Sequence, residues 1–208
     1  MDSMEDILSN KEDDSKGAGI PQKPTSSPAN DIYDFIKIVL ISLAIVLPIR
    51  FFVAQPFIVK GASMEPNYKD GQYLIVDEST YYFRKPLRDE VIVFRYPEDP
   101  AQFFIKRIIG LPGETVQIKN GEVAIINKDH PEGLLLSEPY LSSDVKTIPD
   151  STIVLTSTQY FVMGDNRFYS SDSRRWGPLD QRYFIGRAWL RLWPLGSAGL
   201  LTESITKP

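Results

Sequence analysis

The chain has 208 residues, 42% of them hydrophobic, with a formal charge of -4, which is enough for one core of catalytic size plus appendages and leaves no basic footprint for nucleic acid. It contains no cysteine, which excludes disulfides, thiol nucleophiles and Cys-based zinc sites and fits an extracytoplasmic location. The single histidine, His130, lies in the loop-like stretch Asn127-Lys128-Asp129-His130-Pro131, so a Ser-His-Asp triad has no well-placed base.

Residues 1–32 are rich in Asp, Glu, Lys, Ser and Pro without an apolar period, and a disordered polar tail is expected there because too little surface can be buried to offset chain entropy. Residues 33–54 are expected to form a transmembrane anchor. From Phe35 to Ala54 the chain is predominantly apolar, interrupted only by Lys37 and Arg50 near the ends, where long side chains reach the interface. A buried core helix is the competing reading, since the charge-free run Ile38 to Ile49 is short and Pro48 strains a soluble helix interior. A cleaved secretory signal is disfavoured because Phe52 stands where a small residue is required. The flanking charges do not set orientation: Lys11, Lys16, Lys23 and Lys37 are outnumbered by acids, and Arg50 and Lys60 lie on the other side.

Residues 55–208 are expected to form a mainly antiparallel β domain. Strand-like runs occur at Gln72 to Asp77, Glu90 to Tyr96, Phe103 to Ile109, Glu114 to Lys119, Thr152 to Leu155, Tyr160 to Met163 and Ile185 to Leu192, β-rich and bounded by Gly, Pro or Asp. Asn120-Gly121 predicts a type I′ hairpin into Glu122 to Ile126. The Pro-containing stretch 128–150 reads as a surface excursion.

Three stretches carry chemistry. In Val59-Lys60-Gly61-Ala62-Ser63-Met64-Glu65-Pro66 a small hydroxyl follows a strand-like lead-in and precedes a proline-braked turn, a place to present a nucleophile, although an ordinary surface turn has the same look. A serine needs a base, and without a usable histidine the candidates are a desolvated lysine or a carboxylate. Lys106 lies mid-strand and shares a face with Phe104 and Ile108. Desolvation there favours the neutral amine, whereas a lysine pointing to solvent is the competing reading. The third stretch, Gly164-Asp165-Asn166-Arg167 through Ser173-Arg174-Arg175-Trp176-Gly177, is either a well hydrogen-bonded loop or a segment locked by an acid two positions from an arginine. Two Ser-x-x-Lys matches, Ser143 to Lys146 and Ser204 to Lys207, lie in the excursion and at the C-terminus, and read as chance.

Together these stretches resemble the type I signal peptidases, membrane-anchored serine proteases that remove signal peptides. Ser63-Met64-x-Pro66 is similar to the nucleophile box, Lys106-Arg107-Ile108-Ile109-Gly110-Leu111-Pro112-Gly113-Glu114 to the general-base box, and Gly164-Asp165-Asn166-Arg167 through Trp176-Gly177 to the last box, in the family's order. The resemblance spans Phe35 to Leu192 and implies a signal-peptidase-type β domain on the extracytoplasmic face, behind a single-pass anchor in membrane lipid.

Residue by residue, it implies Ser63 as nucleophile, Lys106 as general base, Ser170 hydrogen-bonded to the Lys106 amine, and Asp172 paired with Arg174. Phe57, Val59, Met64, Phe104 and Ile105 become walls of shallow pockets for the small residues before the cut. No metal or cofactor is implied. Gly61 departs from members that carry a serine there as a side-chain oxyanion donor, which leaves the Ser63 N–H. Asn67 replaces the threonine usual after the box proline, and only altered turn packing is expected from it. The rival readings are a self-cleaving Ser-Lys protease and a non-catalytic membrane-anchored β binding domain.

Overall fold

The computed structural model describes residues 28–52 and 54–201. Most of the expected polar tail, and the Ser204 to Lys207 match, lie outside the described residues. The chain divides into two compact units at Leu43/Ala44.

Helix α1 runs from Pro28 to Phe52, and Asp31 in its first turn complements the helix dipole. Residues 30–47 are exposed throughout, although most of those from Phe35 onward are large and apolar. This helix covers nearly all of the stretch read as an anchor. Among the described residues, however, no helix is long and apolar enough to cross a membrane: Asp31, Asp34 and Lys37 charge the early turns of α1.

The remainder is mainly antiparallel β structure. In chain order it comprises β1 (Ala54–Ile58), β2 (Tyr73–Asp77), a one-turn helix α2 (Thr80–Phe83), β3 (Val91–Tyr96), β4 (Asp99–Gly110), β5 (Thr115–Lys119), β6 (Glu122–Ile126), β7 (Leu134–Leu135), β8 (Ser151–Val154), β9 (Gln159–Met163), a one-turn helix α3 (Ser173–Trp176), β10 (Leu179–Asp180), β11 (Phe184–Trp193) and β12 (Gly199–Leu200). The large sheet has the order β1-β2-β11-β3-β4-β9-β10, with β12 also on β11, and the small sheet the order β7-β6-β5-β8.

The expected strands are present with small boundary shifts, and three differences have local causes. β1 is not among the strands expected from the sequence; among the described residues its Pro56 faces Ile75 of β2 alone at the sheet edge, so its missing N–H breaks no second ladder. β4 begins at Asp99 rather than near Phe103, because Tyr96 pairs with Asp99 across a tight β3–β4 turn. The 128–150 stretch contributes β7, which pairs with β6, and buries Thr147. At the predicted hairpin, Asn120 and Gly121 have φ of 54° and 90°, the double left-handed geometry of a type I′ turn.

Three apolar clusters form the core. Ile109, Val116, Ile118, Val123, Phe161 and Met163 join the small sheet to the large one. Ile92, Phe94, Ile108, Tyr160, Val162 and Leu179 pack together on the large sheet. Val59, Met64, Tyr68, Leu74, Val91 and Ala188 lie beneath the loop that carries Ser63. Each such side chain contributes roughly 1.5–3 kcal/mol on burial, so the last cluster gives that loop a firm floor.

Candidate active site

Ser63 sits in the loop between β1 and β2, whose base is closed by Val59 N–H donating to Gln72 O and Gly71 N–H to Val59 O, both at 2.9 Å. Inside it, the Glu65 N–H donates to Ala62 O at 3.2 Å and the Tyr68 N–H to Met64 O at 2.9 Å. Met64 is 0% exposed and packs into the cluster below. It therefore anchors the loop from below. Burying Met64 leaves its neighbour Ser63 on the open side, where it lines the cleft.

Lys106 arrives from β4. Its Nζ donates to Ser63 Oγ at 2.8 Å and to Ile105 O at 2.9 Å, and lies 5.3 Å from the centre of the Phe104 ring. The residue is 3% exposed, because β4 is covered on both faces from Lys106 to Gly110. Burial drives its pKa down from 10.5 to about 8, against the pull of Asp172 and Asp165 and aided by Arg174.

The segment 164–177 closes over the same loop. Asn166 donates its backbone N–H to Ser63 O at 3.1 Å and its side-chain Nδ2 to Ala62 O at 3.1 Å. Asp172 accepts from Arg174 Nε at 2.8 Å, from Arg174 Nη2 at 2.7 Å and from the Gly164 N–H at 3.0 Å. Burial raises the Asp172 pKa, but the Arg174 charge and these hydrogen bonds outweigh it and hold the carboxyl below its ordinary value. The Asp172 carboxylate also caps α3 through the Arg174 N–H. Gly164 is required by space: a Cβ there would lie 2.4 Å from Ser63 O and 2.3 Å from Ser170 Oγ.

Ser170 is close to this cluster: its Oγ is buried, and its hydroxyl is among the groups that hold the Asp172 carboxyl below its ordinary value. The bond expected from Ser170 to Lys106 is thus not formed; the amine is satisfied by Ser63 and by the Ile105 carbonyl. At Gly61, φ is +83° and the N–H donates to Asp70 Oδ1 at 2.7 Å.

Two groups went unrecognised in the sequence. Arg107 Nε and Nη2 clamp Asp165 at 2.8 and 2.6 Å, and Nη1 donates to Asp89 O at 2.9 Å. Asn67 does more than fill a turn: its Nδ2 donates to Asp165 Oδ2 and to Tyr140 O, both at 2.9 Å, while its carbonyl accepts from Arg191 Nη2 at 2.7 Å. Asn67 thereby ties the Ser63 loop to the Arg107–Asp165 pair. The available signal was weak, an arginine and an acid placed next to residues already singled out. His130 lies in a turn between β6 and β7, where Asn127 Oδ1 accepts its N–H.

Ser63 and Lys106 line a cleft of about 580 Å³ together with Phe57, Val59, Phe104 and Ile105. Two free strand edges belong to this region. Among the described residues, β1 pairs only with β2, and β4 pairs with β9 only from Arg107 onward.

The family model "Signal peptidase, peptidase S26" matches residues 32–193. The chain belongs to this family. The matched span takes in Ser63, Lys106 and all of 164–177. Among curated relatives, the probable signal peptidase I-1 of Synechocystis sp. is 37% identical over 185 residues, covering 86% of this chain and 91% of its own. The signal peptidase I of Leptolyngbya laminosa is 35% identical over 87% of this chain and 93% of its own, and one from Bacillus amyloliquefaciens is 35% identical over 74% and 83%. A crystal structure of a signal peptidase I from Enterococcus faecalis V583 is 33% identical over 50% of this chain and 97% of that one, with a TM-score of 0.42.

Proposed function

We propose that this protein is a membrane-anchored serine endopeptidase that removes signal peptides from exported preproteins, with Ser63 as nucleophile and Lys106 as general base. The observation that carries the chemistry is the 2.8 Å separation of Lys106 Nζ and Ser63 Oγ, in a cleft and on a buried amine. The substrate class rests on the family and on relatives named signal peptidase I.

Neutral Lys106 takes the Ser63 hydroxyl proton as Oγ attacks the scissile carbonyl, and the charge developing on its oxygen meets the Ser63 N–H. Collapse of the tetrahedral intermediate breaks the C–N bond, and the Lys106 ammonium returns the proton to the leaving amine. Lys106 then deprotonates a water, which attacks the acyl ester and releases Ser63. Asp172 with Arg174 supports the 164–177 segment against the site, and Ser170 and Gly61 are supporting residues.

An extended substrate fits the free edges of β1 and β4, where main-chain hydrogen bonds do not depend on sequence. Phe57, Val59, Phe104 and Ile105 leave shallow apolar room for small side chains before the cut. The domain boundaries follow the same reading: a polar tail to residue 32, an anchor over 33–54, and the catalytic domain from 55 with 128–150 as an excursion. The exposed apolar residues of α1 support contact with lipid, in a single pass with the catalytic domain extracytoplasmic.

The test is cleavage of a preprotein bearing an Ala-x-Ala site by wild type, Ser63→Ala and Lys106→Ala in membranes. Wild type is expected to cut, and each variant to lose about 10³-fold or more in rate. Cleavage surviving either substitution removes the dyad; no cleavage by folded wild type removes the function.

A further inference from the structure

Gly61 brings no side-chain hydroxyl to the oxyanion, and its N–H is committed to Asp70, whereas the N–H of Ser63 itself is a donor at the nucleophile. Among the described residues it donates to no acceptor. What aims it is the Ala62–Ser63 peptide plane. In a trans peptide the carbonyl and the N–H point in opposite directions within one plane, so whatever holds Ala62 O also aims the Ser63 N–H.

Two donors hold Ala62 O: the Glu65 N–H of the turn itself at 3.2 Å, and Asn166 Nδ2 at 3.1 Å. A carbonyl oxygen only accepts, so the amide end that faces it is the nitrogen. The Asn166 N–H also donates to Ser63 O, which fixes the next peptide plane. One residue thus grips both peptides flanking the Ser63 Cα. Donation into Ala62 O further polarises that peptide and strengthens its N–H as a donor.

Asn166 is itself held firmly. Its neighbour Asp165 is clamped by Arg107, its neighbour Arg167 is buried against Glu138, and its carbonyl accepts the Tyr169 N–H at 3.2 Å. We infer that Asn166 is a positioning residue that orients the Ser63 N–H toward the oxyanion of the tetrahedral intermediate, through its amide contact with Ala62 O. This rests on the proposed Ser63 acyl transfer and deepens it.

The experiment uses the full chain in detergent and compares wild type with Asn166→Ala, which keeps the backbone bond to Ser63 O, and with Asn166→Leu, which keeps the size and loses the donor without adding a charge. The readouts are kcat, KM, the pH midpoint of the rate, and the affinity of a peptide aldehyde ending in Ala-x-Ala, which forms a tetrahedral adduct with the serine. Both variants are expected to lose about ten- to a hundredfold in kcat, with KM and the pH midpoint unchanged. Aldehyde affinity is expected to fall by the same factor as kcat/KM. Unchanged kcat overturns the inference. So does a loss of kcat with aldehyde affinity retained, or one accompanied by a shifted pH midpoint, which places Asn166 on Lys106. If Asn166→Ala fails to fold, Asn166→Leu decides alone on the same criteria; if wild type does not cleave, the underlying reading fails instead.

Discussion

Lys106 holds a compromise between chemistry and stability. Its burial lowers its pKa to about 8, which makes the neutral amine that a base requires available near that pH, and the same burial penalises the fold wherever the amine is charged. The rate is therefore expected to fall about tenfold per pH unit below about 8, measured as kcat/KM from pH 5 to 10, and a flat profile from pH 5 to 9 rules out a lysine base. For stability the sign is the reverse of the usual paired lysine. The unfolded chain keeps the proton up to about 10.5 and the folded one only to about 8, so stability rises between those values. Below them the fold bears the whole penalty, on the order of 3 kcal/mol. Lys106→Met is expected to abolish cleavage and raise the melting temperature at pH 7, with the difference shrinking at pH 10. Gly61 shows the opposite bias. A Cβ there meets nothing within 4 Å, but its φ of +83° disfavours any side chain. Gly61→Ser is expected to cost about 1–2 kcal/mol in thermal unfolding without raising kcat, since the loop cannot present the new hydroxyl unstrained.

At the scale of elements, the 164–177 segment is the part that converts a β sheet into a site. It reaches the Ser63 loop through Asn166 and Gly164, and its own shape depends on Asp172 and Arg174, whose side chains are 1% and 7% exposed. Removing one partner of a buried, bidentate pair leaves the other charge unsatisfied. Arg174→Met is expected to destabilise by about 3–5 kcal/mol in urea unfolding, and to lower kcat because the segment no longer packs on the loop. Asp172 adds an acid limit. Its lowered pKa contributes stability above the ordinary carboxylate range, and that stability is lost as pH falls through the folded value. The strands were readable in the sequence because alternation and turn residues act locally, as at Asn120-Gly121. The burial of Met64, the ties of Asn67 and the surroundings of Ser170 were not readable there, because the direction of a loop side chain depends on what packs beneath it.

At the scale of the molecule, the proposed function gives α1 and the β-rich unit two separate tasks. A chain lacking residues 1–52 is expected to remain in the supernatant and to cleave a soluble Ala-x-Ala peptide, whereas the full chain sediments with membranes. Retention of the full chain in the supernatant removes the anchoring role of α1. The β class, most strand positions and the motifs that carry the proposed Ser63 and Lys106 pair were all legible along the chain, since periodicity, turn geometry and motif order need only neighbours. The meeting of Ser63 with Lys106 across 43 residues, the grip of Asn166 on Ala62 across 104, and the bracing by Arg107 and Asn67 were not. Those contacts depend on which strand edges pair and in what register, and a one-residue slip sends a side chain to the other face of the sheet. Only the folded sheet sets that register, and with it the distance on which the chemistry turns.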